Sequence, residues 1–345
     1  MNVRIRSGLH RKMAAQFFPS IIATCILLTL LATASAQTCE TSTEMDAATR
    51  TALEAAGKRY FGMAANGDVF SLKQNAIPSL ASNFSGIETA VTDNKANLAG
   101  AQPTIRPPFL LQVQGNAPIE RAEFLCGVFG AQGQTANSAV FVINNLPPGS
   151  YAVVIADATG AKGPYTVSFV LQQMGADWKL GGFYAKSDQI AGHDAQWYIN
   201  QARQYKAKNQ NHNAYLYYQQ ARELMAPVPF MSTLQTDKLY DEAHAVQPPD
   251  IPAGGNTTDL VAGGKTYKLT TMFPLAVGND LDLVVKYQSA DVSNTTQAFA
   301  DNTAVMKALL AKYPELRDAF AAVVARAVQP DGKDYGSLLM MKDIK

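Results

Sequence analysis

The side chains that could do chemistry in this 345-residue chain are few and scattered. His193, His212 and His244 stand far apart, and no cysteine or carboxylate accompanies them at zinc spacing, so the sequence assigns neither a metal site nor a cofactor. Asp331-Gly332-Lys333-Asp334 has the opening of a calcium loop but lacks its later ligands and distal glutamate, and reads as a turn. Glu123 and Asp157 are carboxylates suited in principle to general acid–base work. No neighbouring group in the sequence would tune either of them, so no catalytic residue is assigned. The remaining reactive pair is Cys39 and Cys126, whose chemistry is oxidation. In an oxidising compartment they read as a disulfide pinning the N-terminus of the exported chain to its first domain. The alternative is two separate thiols, with Cys126 a small hydrophobe on a strand.

The compartment follows from the first 36 residues. Arg4, Arg6, Arg11 and Lys12 precede an apolar run over 21–34, and Ala34-Ser35-Ala36 supplies a small-residue cleavage site. This order predicts a secretory signal cut between Ala36 and Gln37, which places the mature chain outside the cytoplasm, in a bacterial periplasm or secreted. The apolar run is shorter than the roughly 20 residues that span a bilayer, and no anchor is expected once the leader is gone. Cys25 leaves with it. The full chain holds 29 basic and 28 acidic residues, and the leader takes four basic and no acidic ones. The mature balance is then 25 against 28, a net of −3. Such balance gives no electrostatic reason to expect a nucleic-acid partner.

The elements that position these residues fall into three segments. Over 37–189, helices come first: 45–65, closed by Asn66-Gly67-Asp68, then 70–80 interrupted by Pro78, then 85–96. From Pro108 the pattern turns to strands over 109–114, 121–129, 138–143, 150–156, 164–174 and 178–184, parted by turns such as Asn144-Asn145-Leu146-Pro147-Pro148-Gly149. Helices followed by adjacent antiparallel strands predict an α+β layout, with helices packed on one face of a curved antiparallel sheet.

The first helix ending in Asn66-Gly67-Asp68 and the last strand, Asp177-Trp178-Lys179-Leu180 with Gly182-Phe183, resemble the nuclear-transport-factor-two-like superfamily over 45–188. The resemblance implies a cone-shaped fold with a pocket between helix and sheet. In some members that pocket carries isomerase, cyclase or dehydratase chemistry on an Asp–His or Asp/Tyr pair. This segment has no histidine before His193, so catalysis is not expected from it.

Residues 190–246 read as helical. Tyr198, Ala202 and Tyr205, then Ala214, Tyr218 and Ala221, recur at three- and four-residue steps on either side of Asn209-Gln210-Asn211-His212-Asn213. The spacing is similar to one tetratricopeptide repeat at about 195–228, with Pro227 one place late. That resemblance puts the peptide-gripping inner face at Ile199, Arg203 and Lys206. An isolated repeat cannot bury its apolar face alone, so 234–245 is expected to cap it, with Trp197, Tyr215 and Tyr217 packing against a neighbour.

A Pro/Gly-rich linker, 247–256, precedes a third module over 257–345. Strands at 265–273 and 280–289, a helix at 294–312 with Phe299, Val305, Met306, Leu309 and Leu310 inward, and strands at 320–328 and 335–342 give ββαββ. The expected function is that of an exported, non-catalytic binding or scaffold protein for a protein, peptide or small ligand of the cell envelope. The alternatives are an enzyme using a pocket in the first domain, with isomerase- or hydrolase-like acid–base chemistry, and an envelope element that homodimerises through the first sheet. What separates binding from catalysis is the interior of that first domain.

Overall fold

A computed structural model describes residues 37–128, 133–252 and 254–345. The leader through Ala36 lies outside the described residues, so the expected cleavage site is represented by Gln37 alone. The fold is α+β, as the element order predicts.

The chain opens with a short strand, β1 (Gln37–Glu40), and a 20-residue helix, α1 (Ala47–Asn66). Asp46 caps α1 by accepting from the Thr49 amide at 2.9 Å. Gly67, at φ 67°, ends it as the sequence signals, with its amide donating to Ala64. Two short helices follow, α2 (Val69–Gln74) and α3 (Pro78–Ala81), then α4 (Ser85–Leu98). The strands β2 (Thr104–Ile105), β3 (Phe109–Val113), β4 (Ile119–Cys126), β5 (Ala139–Leu146), β6 (Gly149–Gly160), β7 (Gly163–Met174) and β8 (Asp177–Ser187) complete the first segment.

These strands form two sheets where the sequence suggested one. The larger runs β1-β3-β6-β7-β8, with β2 paired to β6, and its pairs are antiparallel. The β4–β5 hairpin leaves it and covers its other face. The reason is legible in β6, which is apolar on both sides. Ala152, Val154 and Ala156 pack under the helices, whereas Tyr151, Val153 and Ile155 pack under the hairpin. A strand greasy on both faces needs two covers. Cys39 on β1 and Cys126 on β4 stand at disulfide distance with 5.1 Å between their Cα atoms, tying the two sheets together.

After two short paired strands, β9 (Gln189–Ile190) and β10 (His193–Asp194), the chain forms the helical hairpin α5 (Ala195–Ala207) and α6 (Asn211–Met225). A strand β11 (Met231–Ser232) then joins the edge of β5, and α7 (Leu234–His244) follows with a Thr233/Thr236 capping box.

The last module is a five-stranded sheet, β12 (Thr258–Ala262), β13 (Lys265–Val277), β14 (Asp280–Gln288), β15 (Ala322–Val328) and β16 (Asp334–Met340), in that spatial order. Only β14 and β15 pair in parallel, because α8 (Thr295–Lys312) carries the chain across between them. β12 is a strand beyond the expected ββαββ pattern. Phe299, expected inward, is 47% exposed. The stripe that meets the sheet runs Ala298, Asn302, Val305, Met306 and Leu309, and Phe299 sits one position off it. The helical hairpin and this module share one apolar cluster, from Tyr198 to Ile344. Within 247–256, Ile251 is buried in that cluster and Asp250 is hydrogen-bonded.

Candidate functional site

The interior between helices and sheet in the first segment is occupied by its own side chains. Tyr60, Phe61, Leu53, Leu72 and Phe169 are each almost wholly buried there. Tyr60 donates its hydroxyl to Trp178 O at 2.8 Å, and burial raises its pKa. The two carboxylates singled out in the sequence are elsewhere. Asp157 takes a two-pronged hydrogen bond from Arg106 at 2.8 and 2.6 Å, and Glu123 is an exposed residue of β4 beside Arg121. Among the described residues, no histidine is hydrogen-bonded or ion-paired to either. Among the described residues, no group of three or more His, Cys, Asp or Glu is arranged to hold a metal ion, and no helix is long and apolar enough to cross a membrane.

In the helical hairpin, Tyr198, Ala202 and Tyr205 of α5 and Ala214, Tyr218 and Ala221 of α6 are all buried. The three residues placed by the repeat resemblance do not share one surface. Ile199 is in the core, Arg203 is clamped on Glu242 of α7 at 3.0 and 2.7 Å, and Lys206 is exposed. Arg203 in turn holds the Glu242 carboxyl below its usual range.

The outer side of the hairpin is taken up by this chain's own 314–320 segment. Tyr205 OH donates to Asp318 O at 2.9 Å, Asn213 Nδ2 to Glu315 O at 2.6 Å and Tyr217 OH to Ala319 O at 2.6 Å. His212, from the stretch between the two helical groups of the sequence, stands in the first turn of α6 and is largely buried between two carboxylates, Glu315 at 2.8 Å from Nδ1 and Asp250 at 2.9 Å from Nε2. Its partners lie 38 and 103 residues away, a pairing that no local pattern announces.

Open space lies where the three cores meet, in a cleft of about 640 Å³. One wall is the end of β8, Phe183 to Lys186; the others come from α6, α7 and, across the gap, Phe273-Pro274 of β13. Phe183, Tyr184, Tyr215, Tyr240 and Phe273 bring aromatic rings to its lining, beside polar and aliphatic residues. Tyr240 is 52% exposed, takes the Arg222 guanidinium over its ring at 5.2 Å and stacks on His244. Tyr215 is buried and carries a raised pKa for that reason. Gln220 also lines the cleft; it is 3% exposed, and its Nε2 has no hydrogen-bond partner among the described residues.

Among the described residues, Lys186 is the one lysine that lines this space. Its Nζ donates to the carbonyl oxygens of Glu223, Leu224 and Ala226 at 2.6, 3.0 and 2.5 Å, closing the C-terminus of α6. Burial pulls it down to about 8, against the opposite pull of Asp188 and Glu223. No local pattern singles out this residue, because the helix end it caps lies 37–40 residues downstream.

The backbone of β8 adds a directional feature. Its outer edge is closed near Leu180, which donates to Asn75 O and accepts from Ile77 N at 2.8 and 2.9 Å. Further on, Asp188 N donates to Pro164 O across the ladder at 2.9 Å. Given the antiparallel register, Lys186, Tyr184 and Gly182 then turn their amides and carbonyls to β7, and Phe183 and Ala185 turn theirs outward. Among the described residues no hydrogen bond reaches those outward groups.

No protein family matches the chain, and neither a curated protein nor a solved structure matches it. Among the described residues, fold and site define an α+β protein with three apolar cores and a cleft at their junction.

Proposed function

We propose that this is an exported binding protein that engages a protein partner through the cleft between β8, α6 and α7. The reading takes 45–188 as a nuclear-transport-factor-two-like domain used as a scaffold and 195–228 as a single tetratricopeptide-like hairpin. The observation that supports it is where the space is. The helix–sheet interior, which would house acid–base chemistry in an enzyme of that superfamily, is filled by Tyr60, Phe61 and Phe169, and the accessible space lies between segments. The charged groups around the cleft are already used in packing: Lys186 caps α6, and Arg222 covers Tyr240. An aromatic surface with its cations anchored suits recognition more than proton transfer.

The test is site-specific photo-crosslinking in the producing cell, with the reactive group at Tyr240 in the cleft or at the exposed Phe299 of α8, which does not line it. A discrete adduct from position 240 and none from 299 supports the reading. Equal or absent adducts at both positions count against it.

A further inference from the structure

We infer that the open end of β8 is a strand-pairing site, and that the partner's contact is an extended, largely apolar peptide segment carrying a carboxylate. The inference rests on the binding role proposed for the cleft and specifies what enters it.

Three observations converge on this occupant. First, Phe183 and Ala185 present unpaired amide and carbonyl groups along the cleft wall. A row of alternating donors and acceptors at strand spacing is satisfied best by another extended backbone. Both faces of the sheet contribute to the cleft lining: Ala90 of α4 from the helical side, and Tyr184, Lys186 and α6 from the other. The space therefore sits astride the edge itself.

Second, the facing wall cannot take the peptide in the same way. β13 pairs with β12 only as far as Leu269, so among the described residues its edge is also free beyond that point, but Pro274 interrupts it. Proline has no amide hydrogen and is tolerated in a strand only where its nitrogen points off the ladder, so this edge is blunted. β8 carries no proline over Phe183–Lys186. The pairing edge is thus β8, and Phe273 and Pro274 supply apolar contact for outward-pointing peptide side chains.

Third, the charge is asymmetric. Lys186 and Arg222 against Glu223 leave one formal positive charge around the cleft with histidine neutral, and Gln220 holds a buried amide Nε2 without an acceptor. An apolar strand with one carboxylate answers the net charge, while the Gln220 amide lies behind the cleft wall and is not reached from it.

The experiment is selection of random nine-residue peptides on the intact, oxidised protein, followed by two perturbations of the recovered binders. N-methylation walked along the peptide is expected to weaken binding at alternate positions, by about tenfold or more, and to be tolerated between them. Ala185→Pro deletes one outward amide without touching the bonds to β7 and is expected to weaken the same peptides about 3- to 10-fold. Its unfolding midpoint shows whether the sheet survives, and the methyl scan leaves the protein unaltered in any case. Recovered peptides should alternate apolar residues and include Asp or Glu. Binders that Tyr240→Ala weakens but that tolerate methylation at every position overturn strand pairing and leave the cleft as the binding site. Recovery of no binder, or only of binders indifferent to Tyr240→Ala, overturns both.

Discussion

Lys186→Met gives a prediction whose sign and size follow from the structure. In the folded chain burial holds the Lys186 ammonium at about 8, whereas an unfolded lysine titrates near 10.4. Between these values the unfolded state binds the proton more tightly than the folded state does, so folding stability rises with pH across that window. The two endpoints give about 2 kcal/mol gained between pH 7 and pH 9.5, or about 1–2 kcal/mol after discounting the part of the side chain that stays in water. The tyrosines act in the opposite sense but later. Burial raises Tyr198, Tyr218 and Tyr267 to about 12, and their contribution is lost only as pH climbs past 10. The difference between wild type and Lys186→Met therefore isolates one group. Urea unfolding at pH 7, 8.5 and 9.5 should show the wild type gaining on the variant by that amount. Parallel stability curves for the two proteins would mean that Lys186 is not held in a desolvated site, and the account of the α6 cap would fail with it.

Further outcomes follow from the same contacts. Tyr217→Phe leaves the buried Ala319 carbonyl without its 2.6 Å donor and should cost about 1–3 kcal/mol in urea unfolding; the hairpin and last module should still unfold in one step, since they share a core. Gly57→Ala places a Cβ 2.6 Å from Val154 Cγ1, where α1 lies against β6, and should lower stability by about 1–3 kcal/mol despite alanine's better helix propensity. Replacing Cys39 and Cys126 by serine opens a bridge across 87 residues, for which the chain-entropy model gives a loss of about 4–5 kcal/mol; an unchanged midpoint would show that the bridge does not form. Tyr240→Ala, at a half-exposed site, should change stability by less than about 0.5 kcal/mol while weakening cleft binders.

Much of the fold was legible because its signals are local. The Asn66-Gly67-Asp68 stop, the alternating strands up to Tyr184 and the small residues Ala202 and Ala214 between facing helices each state their own geometry, although the last strand runs on to Ser187. The division of the first strands into two sheets was harder, since it depends on which strand is apolar on both faces, and β6 reads much like its neighbours. The site was scarcely legible. Lys186 meets a helix end about 40 residues away, His212 meets Glu315 after 103, and the edge of β8 is open because no strand among the described residues pairs beyond it. Such features are set by tertiary placement, which periodicity does not encode. Phe299 shows the converse error: an apolar residue near a stripe was assigned to it, and a rotation of one residue put the ring outside.

The most direct test of the account is residue-resolved amide hydrogen exchange along β8 in the free protein and with a selected peptide bound. Tyr184 and Lys186, whose amides face β7, should exchange slowly in both states. Phe183 and Ala185 should exchange fast in the free protein and become protected on binding. Slow exchange of Phe183 and Ala185 without any partner, or protection that fails to appear at them on binding, would contradict an open pairing edge.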